Sequence, residues 1–316
     1  MTAPRFGFFF WPYEPALVER MVRLGESQGW DLVGIADTPG NAMDVWVALT
    51  QAATLTTRVR LASCVTNLAT RDPAITAGAA ASLDRLSGGR FVLGVGAGHS
   101  GVVNVGRRPA PPAELRDGVG RLRDLLEGDR RVPVYAAASG PQALRAAGAA
   151  ADGAFVNYGL GAAETAHARA LLAEGAAQAG RAADGLDTWF IACLDVSERR
   201  ETAFAQLGNI LGFVAAYILG PAPAARGVPT ELIPAIAELR RQYTTRRREM
   251  DPGLVTRLGL FDYLRTRLAV AGTPEDCAEQ TQAAVAAGAT NLMFTVSLAA
   301  DPVRTVELFG RHVLHR

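Results

Sequence analysis

The stretch from Val59 to Gly98, VRLASCVTNLATRDPAITAGAAASLDRLSGGRFVLGVGAG, decides how the 316-residue chain is read. It opens with a short apolar run and a polar turn, then enters a helical pattern through Asp72-Pro73. It breaks at Gly88-Gly89 and returns to a strand that ends in glycines. Aspartate before proline starts a helix well, because the carboxylate caps free N–H groups and the proline has none to leave unpaired. The segment is therefore a strand–helix–strand unit, the repeating piece of a parallel sheet. Its GVGAG, Gly94 to Gly98, is a poor dinucleotide fingerprint, since the third glycine comes early and no helix clearly starts there. Glycines ending a barrel strand instead let a flat ring or a loop come close to the backbone.

The same rhythm runs outward in both directions. Strands are predicted over residues 5–10, 32–36, 59–65, 91–95, 132–136, 153–156, 189–194 and 291–296. Helical spacing is found over 16–28, 45–55, 74–86, 115–126, 142–149 and 164–180. Eight such units predict an α/β fold, a (β/α)8 TIM barrel, whose active-site groups sit at the C-terminal ends of the strands. Two segments break the rhythm. Residues 99–112, after strand four, are rich in glycine and proline, and residues 197–290 separate strands seven and eight. The second holds GPAPAARGVP near Gly220 and an Arg-rich helical stretch over 231–250. A structureless loop of that length is implausible in a compact domain, so extra helices around a Pro-rich joint are expected. Both segments read as insertion or lid regions within one barrel domain spanning 1–316.

Composition narrows the chemistry. The chain is 49% hydrophobic and 20% charged, an ordinary globular balance. It contains no lysine: 32 arginines face 31 acids for a net charge of +1, which argues against nucleic acid as the main partner and excludes Schiff-base and P-loop lysine chemistry. Cys64, Cys193 and Cys277 are far apart and form no metal-ligand spacing, so reduced buried thiols are expected. The apolar stretch near the start, about six residues, is too short for a signal peptide or a membrane span, which leaves a cytoplasmic protein with no membrane partner as the expectation.

The stretch CVTNLATRDPAITAGAAASLDRLSGGRFVLGVGAG resembles the bacterial-luciferase-like family of flavin and deazaflavin enzymes, and within it the coenzyme F420-dependent methylenetetrahydromethanopterin reductases. DLVGIADT, YAAASGPQALRAAGAAADGAFV and GTPEDCAEQTQAAVAAGATNLMF extend the resemblance in matching order across most of the chain. It implies the same barrel fold and a non-prolyl cis peptide at Cys64–Val65, bulging against the back of the cofactor ring. It places Asp37 beside the ring's polar edge or the transferred hydride, the alternative being a turn or helix-cap aspartate. Asn67, with Thr66, is placed along the ring edge, the alternative being an Asx-turn. Gly96, Ala97, Gly98 and His99 are placed beneath the ring or its polyol chain. The sugar-phosphate dehydrogenases of this family carry Glu where His99 stands and His where Thr38 stands, so their proton route is not carried over. Asp37 and His99 remain the candidate catalytic residues, with a solvated loop histidine as the alternative for His99.

The turn at Ser139-Gly140-Pro141 opens a helix whose free N–H groups suit a phosphate. The family uses this turn for its cofactor phosphate, which makes Ala137, Ala138, Ser139 and Gly140 cofactor-binding candidates. A simple helix cap is the alternative. Arg240, Arg241, Arg246, Arg247 and Arg248 read either as a solvated face or as a hold on an anionic tail. The resemblance thus implies an F420-dependent oxidoreductase moving a hydride between the deazaflavin C5 and a small organic substrate, in a homo-oligomer. An FMN-dependent monooxygenase is the alternative, and a catalytically inert flavin-binding or assembly protein is the alternative from another class.

Overall fold

Strand follows helix from Arg5 to His312 in the computed structural model, which describes residues 3–128 and 132–314. Its strands are β1 (Arg5–Phe10), β2 (Leu32–Ile35), β3 (Arg60–Ser63), β4 (Thr66–Asn67), β5 (Phe91–Gly96), β6 (Val134–Ala138), β7 (Gly153–Val156), β8 (Asp187–Val196), β9 (Ala269–Gly272) and β10 (Asn291–Thr295). All pairings are parallel. The order β10-β1-β2-β3-β5-β6-β7-β8 closes through β8–β10, giving the expected eight-stranded TIM barrel. β8 is long enough to fork: Phe190–Cys193 pair with β10, while Cys193–Val196 pair with β9, which stands outside the closed ring.

Two strand boundaries move for identifiable reasons. β6 begins at Val134 rather than 132, because Pro133 has no N–H for a ladder and offers only its carbonyl, to Leu93. β3 stops at Ser63 rather than 65, because the Cys64–Val65 peptide is cis and swings the chain out of register. The ladder to β5 covers Leu61↔Phe91 and Ala62↔Val92, then resumes through β4 at Thr66↔Val95. Ser63 bridges the gap: its Oγ donates to the Gly94 carbonyl (2.9 Å) and accepts from the Gly94 N–H (3.0 Å).

The Arg-rich stretch is α-helical over Ile233–Gln242, with single 3-10 turns at Thr230–Leu232 and Arg247–Glu249. It breaks at two threonines whose hydroxyls bond elsewhere, Thr244 to the Arg246 N–H and Thr245 to Asn104 Oδ1. The rest of the large insertion supplies helix Arg200–Ile218, helix Phe261–Leu268 and the unforeseen β9.

Apolar packing occurs in three places. One core lies between the strands and the outer helices, and a second fills the barrel around Tyr135, Phe155, Trp189 and Met293. The third is built by the insertion, from Leu207, Leu211, Ile236, Leu239 and Leu264 against Trp11, Cys193 and Ala271. Polar groups at the N-terminal strand ends seal the floor. Asp187 pairs with Arg5 and Arg60 and accepts from the Tyr135 hydroxyl, while the Arg5 guanidinium lies 5.0 Å from the Trp189 ring centroid. The barrel's cleft lies at the opposite, C-terminal end.

Asp195, in the outer half of β8, ties this strand to the segment after β10, accepting from the Ala300 N–H (2.9 Å) and lying 3.4 Å from the Thr305 hydroxyl. Burial outweighs both contacts and raises its carboxyl to about 7. The folded-state value lies above the unfolded one, so the folded chain holds the extra proton between about pH 4 and 7, and stability falls as pH rises through that window. Asp195→Asn is expected to remove this slope, worth about 2–4 kcal/mol. Urea unfolding at pH 5 and pH 8 checks it; an unchanged slope would rule out Asp195 as the source.

Candidate functional site

The C-terminal ends of the strands surround a cleft of about 940 Å³, measured out to its open mouth. The Cys64–Val65 bulge forms one wall. Gly96, Ala97, Gly98 and His99 follow from β5, and Ala137, Ala138 and Ser139 from β6. Opposite them stand Phe9 from β1 and Trp11 just after it, Ile191 and Thr295 from β8 and β10, and Ile210, Phe213 and Val214 from helix Arg200–Ile218. The slot is apolar on both broad sides because side chains at strand ends here are small or aromatic rather than charged. A Cβ on Gly96 would stand 2.7 Å from Val65 Cγ2 and 3.3 Å from the Ala137 methyl, so only glycine keeps the floor of the slot flat.

Asp37 lines the slot at the end of β2. It is not the cap of the following helix: Asp44 takes that role, accepting from the Trp46 and Val47 N–H groups. Asp37 instead bonds Thr66 Oγ1 through Oδ2 at 2.7 Å. Burial raises its carboxyl above the usual range against the opposing pull of that hydrogen bond and of Arg71. A carboxyl so placed can accept or hold a proton at the slot's edge.

His99 is not a solvated loop residue. Its ring stacks on Tyr217 at 4.2 Å, meets the edge of Phe213 at 5.9 Å, and its Nε2 is hydrogen-bonded to the Tyr243 hydroxyl at 2.9 Å. Burial first, and then the charge of Arg240, lowers it to about 4. At neutral pH His99 is therefore an uncharged imidazole. An NMR titration of its ring protons is expected to show no protonation down to about pH 5, and a midpoint near 6.5 would place it in water instead.

Two candidates do not face the slot. Asn67 is buried, and its Oδ1 accepts from the Ala69 and Thr70 N–H groups and the Thr70 hydroxyl, an Asx-type turn that leaves it no free acceptor for a ring. It acts from behind, with Gly98 packed against it: a Cβ on Gly98 would stand 2.9 Å from the Asn67 Cβ. Gly140 is covered by the Arg226 guanidinium, whose Nη2 lies 2.6 Å from where a Cβ would stand. Among the residues that sequence reasoning missed, Phe213, Tyr217 and Tyr243 matter most. The i, i+4 spacing of Phe213 and Tyr217 was the available signal. Among the described residues no group of His, Cys, Asp or Glu is arranged to hold a metal ion, and no helix is long and apolar enough to cross a membrane.

In this chain the third barrel strand ends in a cis peptide beside a glycine-floored slot, and residues 13–291 match the family model of luciferase-like monooxygenases; the chain belongs to that family. It is 27% identical to the 5,10-methylenetetrahydromethanopterin reductase of Archaeoglobus fulgidus, covering 98% of each chain, and 26% identical to that of Methanolobus tindarius, covering 98% of this chain and 99% of that one. The solved coenzyme F420-dependent tetrahydromethanopterin reductase of Methanopyrus kandleri superposes with a TM-score of 0.80 at 24% identity, over 99% of both chains. An F420-dependent secondary alcohol dehydrogenase superposes with a TM-score of 0.75 at 18% identity, over the full length of both. These likenesses establish the fold along the whole chain.

Proposed function

We propose that the protein is a coenzyme F420-dependent oxidoreductase acting on a small organic substrate. The observation that carries this reading is the flat slot between the Cys64–Val65 bulge and Gly96, in a chain related end to end to F420-dependent reductases. Bound F420 supplies hydride transfer at C5 of its deazaflavin ring, and the chain supplies the setting. Val65 and Gly96 support a ring face, Cys64, Ala97, Gly98, Ala137 and Ala138 complete its surround, and Ser139 faces its polar side chain. Asp37 orients the ring edge or holds a proton there. His99, neutral and steadied by Tyr217 and Tyr243, accepts or donates the substrate's proton. Trp11, Ile210 and Phe213 offer the substrate an apolar wall with no cation, which suits an uncharged reacting group. The segments 99–112 and 197–290 act as the lid that excludes water, and the enzyme works as a cytoplasmic homo-oligomer.

Titration of the purified protein with F420 and, separately, with FMN tests the reading. Micromolar or tighter binding of F420 and weak binding of FMN are expected. Preference for FMN would move the protein to the monooxygenases that share this scaffold. Failure to bind either would leave a barrel without a working ring site.

A further inference from the structure

His99 stands in the wall between two cavities. It lines the ring slot and also a second cavity beside it, and the two share Ala97, Ala137, Ser139 and Tyr217. Tyr243, Arg226 and Arg240 line the second cavity but not the slot, and all three come from the large insertion. The rim of that cavity is exposed at Val103, Pro109, Pro221 and Arg240, so water reaches it. The Tyr243 hydroxyl meets His99 Nε2 at 2.9 Å. Of these two groups the phenol is the stronger donor and the imidazole nitrogen the stronger acceptor, so the hydroxyl donates and Nε2 carries no proton. The proton of the neutral ring then sits on Nδ1, the nitrogen left for a ligand. Tyr217 competes for neither nitrogen, because it stacks on the face of the ring while the lone pair and the N–H lie in its plane. Burial and then Arg240 keep the imidazole discharged at neutral pH, so His99 cannot store a proton for the slot. A neutral imidazole gives up its N–H readily only when its other nitrogen gains a proton in the same step. Tyr243 holds such a proton: burial raises its hydroxyl above the ordinary value, while Arg240, three residues earlier, opposes this by favouring the phenolate.

We propose that Tyr243 is a positioning residue for the reaction in the slot: it fixes His99 as the Nδ1–H tautomer and replaces, from the water-accessible second cavity, the proton that His99 passes to the substrate. The inference rests on the deazaflavin reading above. As a C=O or C=N carbon of the substrate receives the hydride of the reduced deazaflavin, its oxygen or nitrogen takes the Nδ1 proton, Nε2 takes the Tyr243 proton, and the phenol is restored from solvent. The deazaflavin is oxidised, the substrate is reduced, and one solvent proton is consumed. His99 stays uncharged before and after the step. Tyr243 follows directly on helix Ile233–Gln242, so the insertion, rather than the barrel, sets the proton supply.

Nitrogen NMR of protein labelled at its histidines, with His99→Asn to assign the signals, reads the tautomer without cofactor or substrate. The parent is expected to carry the ring proton on Nδ1, and Tyr243→Phe to move it toward Nε2, the form imidazole prefers in water. A proton on Nε2 in the parent, or an unchanged tautomer in Tyr243→Phe, would overturn the proposal. Kinetics with reduced F420 and the fastest member of a panel of aldehydes, ketones and cyclic imines read the supply. Tyr243→Phe is expected to lower kcat about 10- to 100-fold while KM stays within about threefold. In mixtures of light and heavy water the parent's rate is expected to bow with deuterium content, as two protons in motion require, and the variant's to fall on a straight line. A straight line for both, or an unchanged kcat, would overturn the relay. If the protein binds no F420 or reduces no member of the panel, the deazaflavin reading itself fails, and the ring-nitrogen spectra alone decide the hold of Tyr243 on His99.

Discussion

Ser63→Ala is expected to destabilise the protein by about 2–5 kcal/mol, because it leaves both the N–H and the carbonyl of Gly94 buried and unpaired. The cost is large for a one-atom change since the serine stands where the backbone ladder is interrupted, between Ala62↔Val92 and Thr66↔Val95. Gly94→Ala attacks the same junction from the other side. Its Cβ would overlap the Ser63 carbonyl oxygen and stand 2.9 Å from the Phe155 ring, and neither the backbone nor an enclosed ring can retreat. Chemical denaturation measures both changes. Stability within about 0.5 kcal/mol of the parent in Ser63→Ala would mean that the interrupted ladder does not depend on the serine.

Asp37→Ala is expected to lower kcat by about 10²- to 10³-fold with cofactor affinity changed only a few-fold, as befits a group that manages a proton or orients a reacting edge. Asp37→Asn separates the two roles, since an amide keeps a hydrogen bond to Thr66 but cannot take up a proton. If the amide restores most of the rate, Asp37 orients; if it is as slow as alanine, Asp37 carries charge or a proton. Rapid-mixing absorbance of the deazaflavin supplies kcat, and an equilibrium titration supplies affinity. A kcat for Asp37→Ala within about threefold of the parent would remove it from the reaction.

The barrel was legible because its eight strands are apolar runs punctuated by glycine, proline and helix caps, and those local rules agree with the global fold. β1 and β7 have the predicted bounds, and helix Val45–Leu55 begins where Asp44 caps it. The slot was legible only through the resemblance, because nothing in the composition of SCVT announces a cis peptide. His99 and Asp37 fall in one cleft as expected, whereas Asn67 turns away because its carbonyl is already spent on the loop that follows it. What could not be read were partners that meet across long separations. Tyr243 reaches His99 from 144 positions away, and Arg226 reaches Ser139 from 87. Neither leaves a periodic trace. β9 escaped for the opposite reason: AVAG is too short and too plain to be told from the end of a helix.

The fork in β8 separates two inheritances in one strand. Its inner half belongs to the closed ring, which every unit of the barrel constrains, while its outer half gives the insertion its one β-sheet attachment, through β9. The insertion also carries its own apolar core. Because its sheet pairing lies outside the ring, a change in the insertion's length is expected to leave the ring's own ladder intact, while its side-chain ties to His99, Asn104 and Ser139 would have to be rebuilt. Since it delivers Phe213 to one chamber and Arg226 and Arg240 to the other, such a change would reshape both chambers at once while the ring stays as it is.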